Sequence, residues 1–236
     1  MRIQELYPDF RDKDVFVIGT GPSASVFPWE FLNGKFTLGL NQAWRYLPLN
    51  YCLTAHPELL LEQEQHAEAT GQRGGIKWIV KKKPPLEKLT LEDPRYYVYH
   101  SREDWGLFAK PEADVLFLGR GVQQTAIDLC CRAGAKSVIL IGVDMGSLDG
   151  DHHGHHQHVR FHGLAPKDVY AEYRKWTAKA RRLAREHYGV PVLTLSPLLG
   201  LTAPEEDYKR LHQELGIPKL PPPKDTSGYK RERADL

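Results

Sequence analysis

Val15-Phe16-Val17-Ile18-Gly19-Thr20-Gly21-Pro22-Ser23 is an apolar run that breaks on two glycines, and its reading decides the fold. Four consecutive apolar residues without a period of two are the pattern of a strand covered on both faces. A buried strand that runs into glycines offers backbone N–H groups at its carboxyl end, where a phosphate can approach without meeting a Cβ. About a hundred residues later the same pattern returns as Val115-Leu116-Phe117-Leu118-Gly119-Arg120-Gly121-Val122. That second turn leads into a helical stretch and then into Ser137-Val138-Ile139-Leu140-Ile141-Gly142-Val143-Asp144. Two such turns in one sheet point to an enzyme that uses a nucleotide. The combination carries the inference, because no complete G-x-G-x-x-G is present: after Gly19 and Gly21 the third position is Ala24.

Working outward, strands are predicted at Asp14–Ile18, Phe36–Leu40, Tyr51–Thr54, Lys77–Val80, Tyr96–Tyr99, Val115–Leu118, Lys136–Ile141 and Val190–Leu195. Helices are predicted at Pro57–Thr70, Val122–Ala133 and Asp168–Tyr188, the last two stopped by Gly134 and Gly189. In the third, Val169, Tyr173, Trp176, Ala180, Leu183 and Ala184 repeat at helical spacing against a face bearing Arg174, Lys175, Lys179, Arg181, Arg182 and Arg185. Alternating strands and helices imply right-handed crossovers and a mainly parallel sheet. The expected architecture is a Rossmann-like, three-layer α/β fold over residues 1–216, with its ligand beyond the carboxyl ends of the strands. From about Ile217 the chain turns rich in proline and lysine, so 217–236 is expected to be a flexible, locally basic tail. That tail has either no role or a contact with nucleic acid or a partner protein.

At 236 residues the chain can bury a sizeable core. With 41% hydrophobic and 26% charged residues and a net charge of +2, it is not a protein whose whole surface is built for nucleic acid. No apolar run approaches the roughly 20 residues needed to span a bilayer. The opening Met1-Arg2-Ile3-Gln4-Glu5-Leu6 lacks the apolar core of a signal peptide. The three cysteines, two of them the adjacent Cys130 and Cys131, make neither a disulfide framework nor a zinc spacing. The expected compartment is a reducing cytoplasm.

Ile18-Gly19-Thr20-Gly21-Pro22-Ser23, then Leu40-Asn41-Gln42, then Gly121-Val122 and Ile141-Gly142-Val143-Asp144, resemble two related groups in the same order of elements. One is the bacterial CMP-sialic-acid-dependent sialyltransferases. The other is the family of the archaeal 6-hydroxymethylpterin diphosphokinase and flagellin-associated motility proteins. The resemblance covers roughly Asp14 to Leu199. Ala55-His56-Pro57-Glu58-Leu59-Leu60-Leu61-Glu62-Gln63 is similar to a sialyltransferase segment in which an Asn stands at the place of His56. The diphosphokinase group tends to carry an Asp there, a natural Mg²⁺ ligand, so its absence weighs against that reaction. Thr20 stands where the sialyltransferases carry an Asn, exchanging an amide for a hydroxyl.

The site residues follow from these readings. Gly19, Thr20, Gly21, Pro22 and Ser23 are expected to hold the nucleotide-activated donor, Ser23 as a helix cap, a phosphate contact or both. Asn41 and Gln42 offer amides to a base or ribose. Gly119, Arg120 and Gly121 would meet phosphate or carboxylate. Asp144, at the ligand edge of the sheet, is placed in the catalytic set, binding ribose hydroxyls or an acceptor. The segment from Asp149 to His162 holds six of the 11 histidines. It reads as a metal site using His152, His153, His155 and His156, as the source of a general base, or as a solvated loop. His162 is the base suggested by resemblance to the sialyltransferases. The same resemblance gives Tyr170 and Tyr173 as hydroxyls that bond the leaving phosphate, against a role in packing alone. His56, Tyr170 and Tyr173 are alternative bases.

The leading expectation is glycosyl transfer from a CMP-type sugar donor to a hydroxyl acceptor, without an assured cofactor. The alternative is Mg²⁺-dependent diphosphoryl transfer from ATP. A third reading is a non-catalytic nucleotide-binding protein.

Overall fold

The computed structural model describes residues 2–57, 59–60, 62, 65–66, 69, 76–82, 95–110, 115–144, 166–195, 213–214 and 216. The histidine-rich segment, His162 and the expected tail at 217–236 lie outside them. Eight strands run β1 Asp14–Ile18, β2 Phe36–Leu40, β3 Tyr51–Thr54, β4 Lys77–Lys81, β5 Tyr96–Arg102, β6 Val115–Phe117, β7 Ser137–Ile141 and β8 Val192–Thr194. All pair in parallel, in the order β6-β5-β4-β3-β2-β1-β7-β8. The chain thus lays five strands to one side of β1 and then returns to place β7 and β8 on the other.

The alternation of side chains along the strands divides the interior in two. Val15 and Val17 of β1 and Val138 and Leu140 of β7 face one layer, with Ala126, Ile127 and Leu129 and with Ala180 and Ala184 of the helices. Phe16, Ile18, Ile139 and Ile141 face the other, with Phe27, Leu32, Trp44 and Leu49. Both faces are covered, as an all-parallel sheet requires. The helical elements are α1 Tyr7–Phe10, α2 Val122–Arg132 and α3 Pro166–Tyr188. Gly134 and Gly189, which follow α2 and α3, have φ of +75° and +68°, the left-handed geometry that ends a helix. The described residues among 59–69 are helical, within the stretch expected to be so. No helix among the described residues is long and apolar enough to cross a membrane.

Two departures from the sequence reading have physical causes. β5 extends three residues beyond Tyr99, because His100, Ser101 and Arg102 pair with Val115, Leu116 and Phe117 of the edge strand β6. The segment after the first glycine turn is a 3-10 helix over Pro22–Val26, and a second 3-10 helix covers Trp29–Leu32. Pro28 stands between them, and proline both fixes its own φ and disfavours helix at the residue before it.

α2 is fastened to the sheet by a charge with no exposure. The Asp128 side chain and that of Arg132 are both fully buried, and Arg132 Nε donates to Asp128 Oδ1 at 2.8 Å. The other carboxylate oxygen accepts the backbone N–H of Phe117 at 2.8 Å, tying α2 to β6. Burial pushes the Asp128 carboxyl up, opposed by the Arg132 charge and by its two hydrogen bonds. Removing one partner of a buried pair leaves the other uncompensated. Asp128→Ala is expected to lose about 3–5 kcal/mol of stability in urea denaturation, and Asp128→Leu with Arg132→Met to recover most of it. A loss under about 1 kcal/mol for the single change would show that α2 is held by apolar packing alone.

Candidate active site

Because every strand is parallel, the residues that follow β1, β2, β3, β6 and β7 share one edge of the sheet. The strand order reverses between β1 and β7, and in open α/β sheets ligands bind outside the carboxyl ends at such a switch. There Gly19 N–H donates to Ile141 O and Gly21 N–H to Gly142 O, each at 2.7 Å, extending the β1–β7 pairing past the strand ends. Gly142 takes a φ of +64° to turn away from the sheet. Two residues on, Asp144 is 1% exposed and bonds the first turn with both oxygens. Its Oδ2 accepts Ser23 N–H and its Oδ1 accepts Ser23 Oγ–H, each at 2.6 Å.

This arrangement corrects the expectation of a turn with open N–H groups. The backbone donors of Gly19, Gly21 and Ser23 are all taken by β7 and the residues after it. Gly21 has an ordinary φ of −65°, so its conformation does not demand glycine. Its missing Cβ does: one built there would lie 2.6 Å from Asp144 Oδ2 and 2.7 Å from Gly142 O. The glycine makes room for the protein's own carboxylate. Ser23 is likewise not a helix cap, since its hydroxyl is spent on Asp144, and Gly21 occupies the N-cap position.

Asn41 closes β2 in a left-handed conformation, φ +52°, which asparagine tolerates better than most residues. Its N–H donates to Leu53 O at 3.0 Å, and its Oδ1 accepts the Thr54 hydroxyl at 2.9 Å. Gln42 is committed elsewhere: its Nε2 donates to Glu62 at 2.9 Å, and Glu62 also pairs with Arg45. Tyr46, stacked on Trp29 with ring centroids 5.1 Å apart, lies in the field of Asp144. Burial first, and then the negative charge of Asp144, push its hydroxyl up. His56 is exposed just past β3 on the same edge.

The second turn stands apart, with four strands between β6 and β1. Gly121 N–H is capped by Gln124 Oε1 at 2.7 Å, and Gln124 Nε2 donates to Thr177 of α3 at 2.9 Å. The Trp176 ring lies against Gly119, where no Cβ could fit. Arg120 is half-exposed, 5.4 Å over the Trp176 ring and 3.9 Å from Glu103. Tyr170 and Tyr173 sit edge to face, centroids 6.3 Å apart, half-buried on α3. Burial raises the Tyr173 hydroxyl, with the Arg120 charge opposing. The structure therefore gathers Gly19, Thr20, Gly21, Pro22, Ser23, Asn41 and Asp144 at the switch, and Gly119, Arg120, Gly121, Tyr170 and Tyr173 around the start of α2. His162, His152, His153, His155 and His156 lie outside the described residues. Among the described residues no three His, Cys, Asp or Glu gather as a metal site. A cavity of about 630 Å³, lined by Cys131, Arg132, His187 and Tyr188, opens at the amino ends of β7 and β8, on the opposite edge from Asp144.

Sequence reasoning missed Thr54, Tyr46 and the Gln124–Thr177 clasp. Thr54 ends β3 directly opposite Asn41, and a polar residue closing an otherwise apolar strand was the available signal.

No family model matches this sequence, and no curated protein does. Solved structures do match. The sialyltransferase CstII from Campylobacter jejuni, in complex with the substrate analogue CMP-3FNeuAc, aligns with a TM-score of 0.55 at 12% identity, over 94% of this chain and 96% of that one. CstII in complex with cytidine-5'-monophosphate aligns at 0.51 with 16% identity, over 79% and 81%. An alpha-2,3-sialyltransferase from the same organism in apo form gives 0.51 and 15%, over 84% and 79%. The chain has the fold of these sialyltransferases.

The close approach at the switch makes its own prediction. Gly21→Ala leaves the backbone unstrained but drives a methyl into Asp144 and Gly142. It is expected to cost about 1–3 kcal/mol in denaturant unfolding. A variant as stable as the parent would mean that the β1 and β7 ends are not held together at this distance.

Proposed function

We propose that this protein is a glycosyltransferase that takes its sugar from a nucleotide-activated donor of the CMP type. The observation that carries the reading is the sialyltransferase fold, which spans nearly the whole of both chains. The cluster of Asn41, Ser23 and Asp144 at the point where the strand order reverses agrees with it. Neighbours of the same fold hold CMP or a CMP-sugar analogue, and this chain is read as binding the same class.

In the proposed reaction the bond between the anomeric carbon and the phosphate oxygen breaks, and the electron pair leaves with CMP. The acceptor hydroxyl forms the new bond to carbon and gives its proton to a base, for which His162 is the candidate. The transition state has oxocarbenium character, and the protein's task is to position both partners and to stabilise charge growing on the leaving phosphate. With the N–H groups of Gly19, Gly21 and Ser23 consumed, side chains are read as supplying the donors. At the switch the candidate is Asn41 Nδ2; Arg120, Tyr170 and Tyr173, around the start of α2, are candidates for the more distant parts of the donor or acceptor. Asp144 acts through Ser23, holding the turn that borders the site.

A thermal-shift panel of CMP, UDP, GDP and ATP, each with and without Mg²⁺, tests the reading. CMP at 100 times its dissociation constant should stabilise the fold by about 2.7 kcal/mol, with or without chelator. Stabilisation by ATP only with Mg²⁺ would replace glycosyl by diphosphoryl transfer. Once turnover of a CMP-sugar is measured, His162→Ala should lower it by about 10²–10⁴ with CMP affinity intact. Unchanged turnover would move the base to His56 or to the α3 tyrosines.

A further inference from the structure

We infer that Thr54 is a positioning residue that fixes which end of the Asn41 amide faces the ligand, so that the site takes a hydrogen-bond acceptor there and refuses a donor. The inference rests on the proposed nucleotide site and adds to it a residue and a polarity.

Asn41 is one of two non-glycine residues with positive φ among those described, and it stands at the strand end beside the switch. Such an outlier is costly unless its surroundings hold it in place. Three groups of the neighbouring β3 do so. Leu53 O accepts its N–H at 3.0 Å, Cys52 Sγ donates to its carbonyl at 3.2 Å, and the Thr54 hydroxyl donates to its Oδ1 at 2.9 Å. Thr54 is 0% exposed, and its own hydrogen bonding is directed. Its oxygen accepts the His56 N–H at 2.9 Å, so its single proton is free to go outward. Two acceptors lie in reach, Asn41 Oδ1 at 2.9 Å and His56 O at 3.3 Å, and the nearer is the amide.

An amide whose oxygen is taken in this way presents its NH₂ to whatever lies opposite. Asn41 Nδ2 makes no hydrogen bond among the described residues, and Asn41 is only half-buried. The ligand group that satisfies it must carry lone pairs, either an oxygen of the nucleotide phosphate or a carbonyl or ring nitrogen of the base. The position of Thr54 within an apolar strand also explains why its side chain is a hydroxyl and not the isosteric isopropyl of valine, which would leave the amide free to turn over.

Titration calorimetry with CMP and with cytidine tests this. In the parent protein CMP binds; if it does not, both the proposed function and this inference fall. Thr54→Val is expected to weaken CMP binding about tenfold, while Thr54→Ser stays within about twofold. Asn41→Asp keeps the oxygen that Thr54 bonds, keeps a residue that tolerates positive φ, and replaces the NH₂ by an acceptor; it should weaken CMP more than tenfold. If that loss is confined to CMP, Asn41 meets the phosphate, and if cytidine weakens equally it meets the base. The decisive arm combines the changes. In the Asn41→Asp background Thr54→Val should cost nothing further, because it acts only through the amide. An equal loss in both backgrounds would mark Thr54 as merely structural and overturn the inference with the proposed function intact. Parent-like CMP affinity in Asn41→Asp would overturn it as well, even where Thr54→Val fails to fold.

Discussion

The structure depends on the contact between the carboxyl ends of β1 and β7, which are more than a hundred residues apart in sequence. Parallel pairing of Ile18 with Ile141 continues through two N–H donors at Gly19 and Gly21 and finishes in the double bond between Ser23 and Asp144. No side chain can stand at Gly19 or Gly21 while the two backbones lie this close. With β7 on that side of β1, strands β2 to β6 lie on the other, and the strand order reverses between β1 and β7. The carboxylate is buried at the point of closure. Two charge-assisted hydrogen bonds to one serine offset part of its desolvation, because a carboxylate without partners there would be costly.

Much of this was legible in the sequence, for one reason. Strands buried on both faces must be apolar throughout, so β1, β2 and β3 appear with the bounds that the apolar runs predict, and the glycines after α2 and α3 end those helices as expected. Where a strand edge is not buried, the composition misleads. His100, Ser101 and Arg102 look like a loop and become strand only because β6 arrives to pair with them. Strand order is a tertiary property and left no local mark, so the two glycine turns looked equivalent. One borders the reversal and the other lies at the far edge of the sheet.

The candidate site was read less well than the fold, and the glycines show why. Glycine in a turn reports either a left-handed φ, as at Gly134 and Gly189, or that a Cβ has no room. At Gly21 the space belongs to Asp144, at Gly119 to Trp176 and at Gly121 to the side chain of Gln123. A ligand is one possible occupant among several, and sequence cannot tell which. Thr54 illustrates the converse. Its importance lies in a hydrogen bond 13 residues back in the chain to a residue with unusual φ, and neither fact is written in its own neighbourhood.

The closed turn also constrains how charge can be managed. A glycine-rich loop that cradles a diphosphate does so with several free N–H groups, and here those of Gly19, Gly21 and Ser23 are already bonded within the protein. A leaving group with a single phosphate carries less total negative charge than one with two, although the same one unit develops on either as the bond breaks. Neutral side-chain donors aimed at developing charge can stabilise it where backbone N–H groups are already bonded. Burial pushes the Tyr173 hydroxyl up, with the Arg120 charge opposing. The same buried carboxylate places a negative charge directly beneath the first turn, so the residues of that turn are held by the protein's own acceptor.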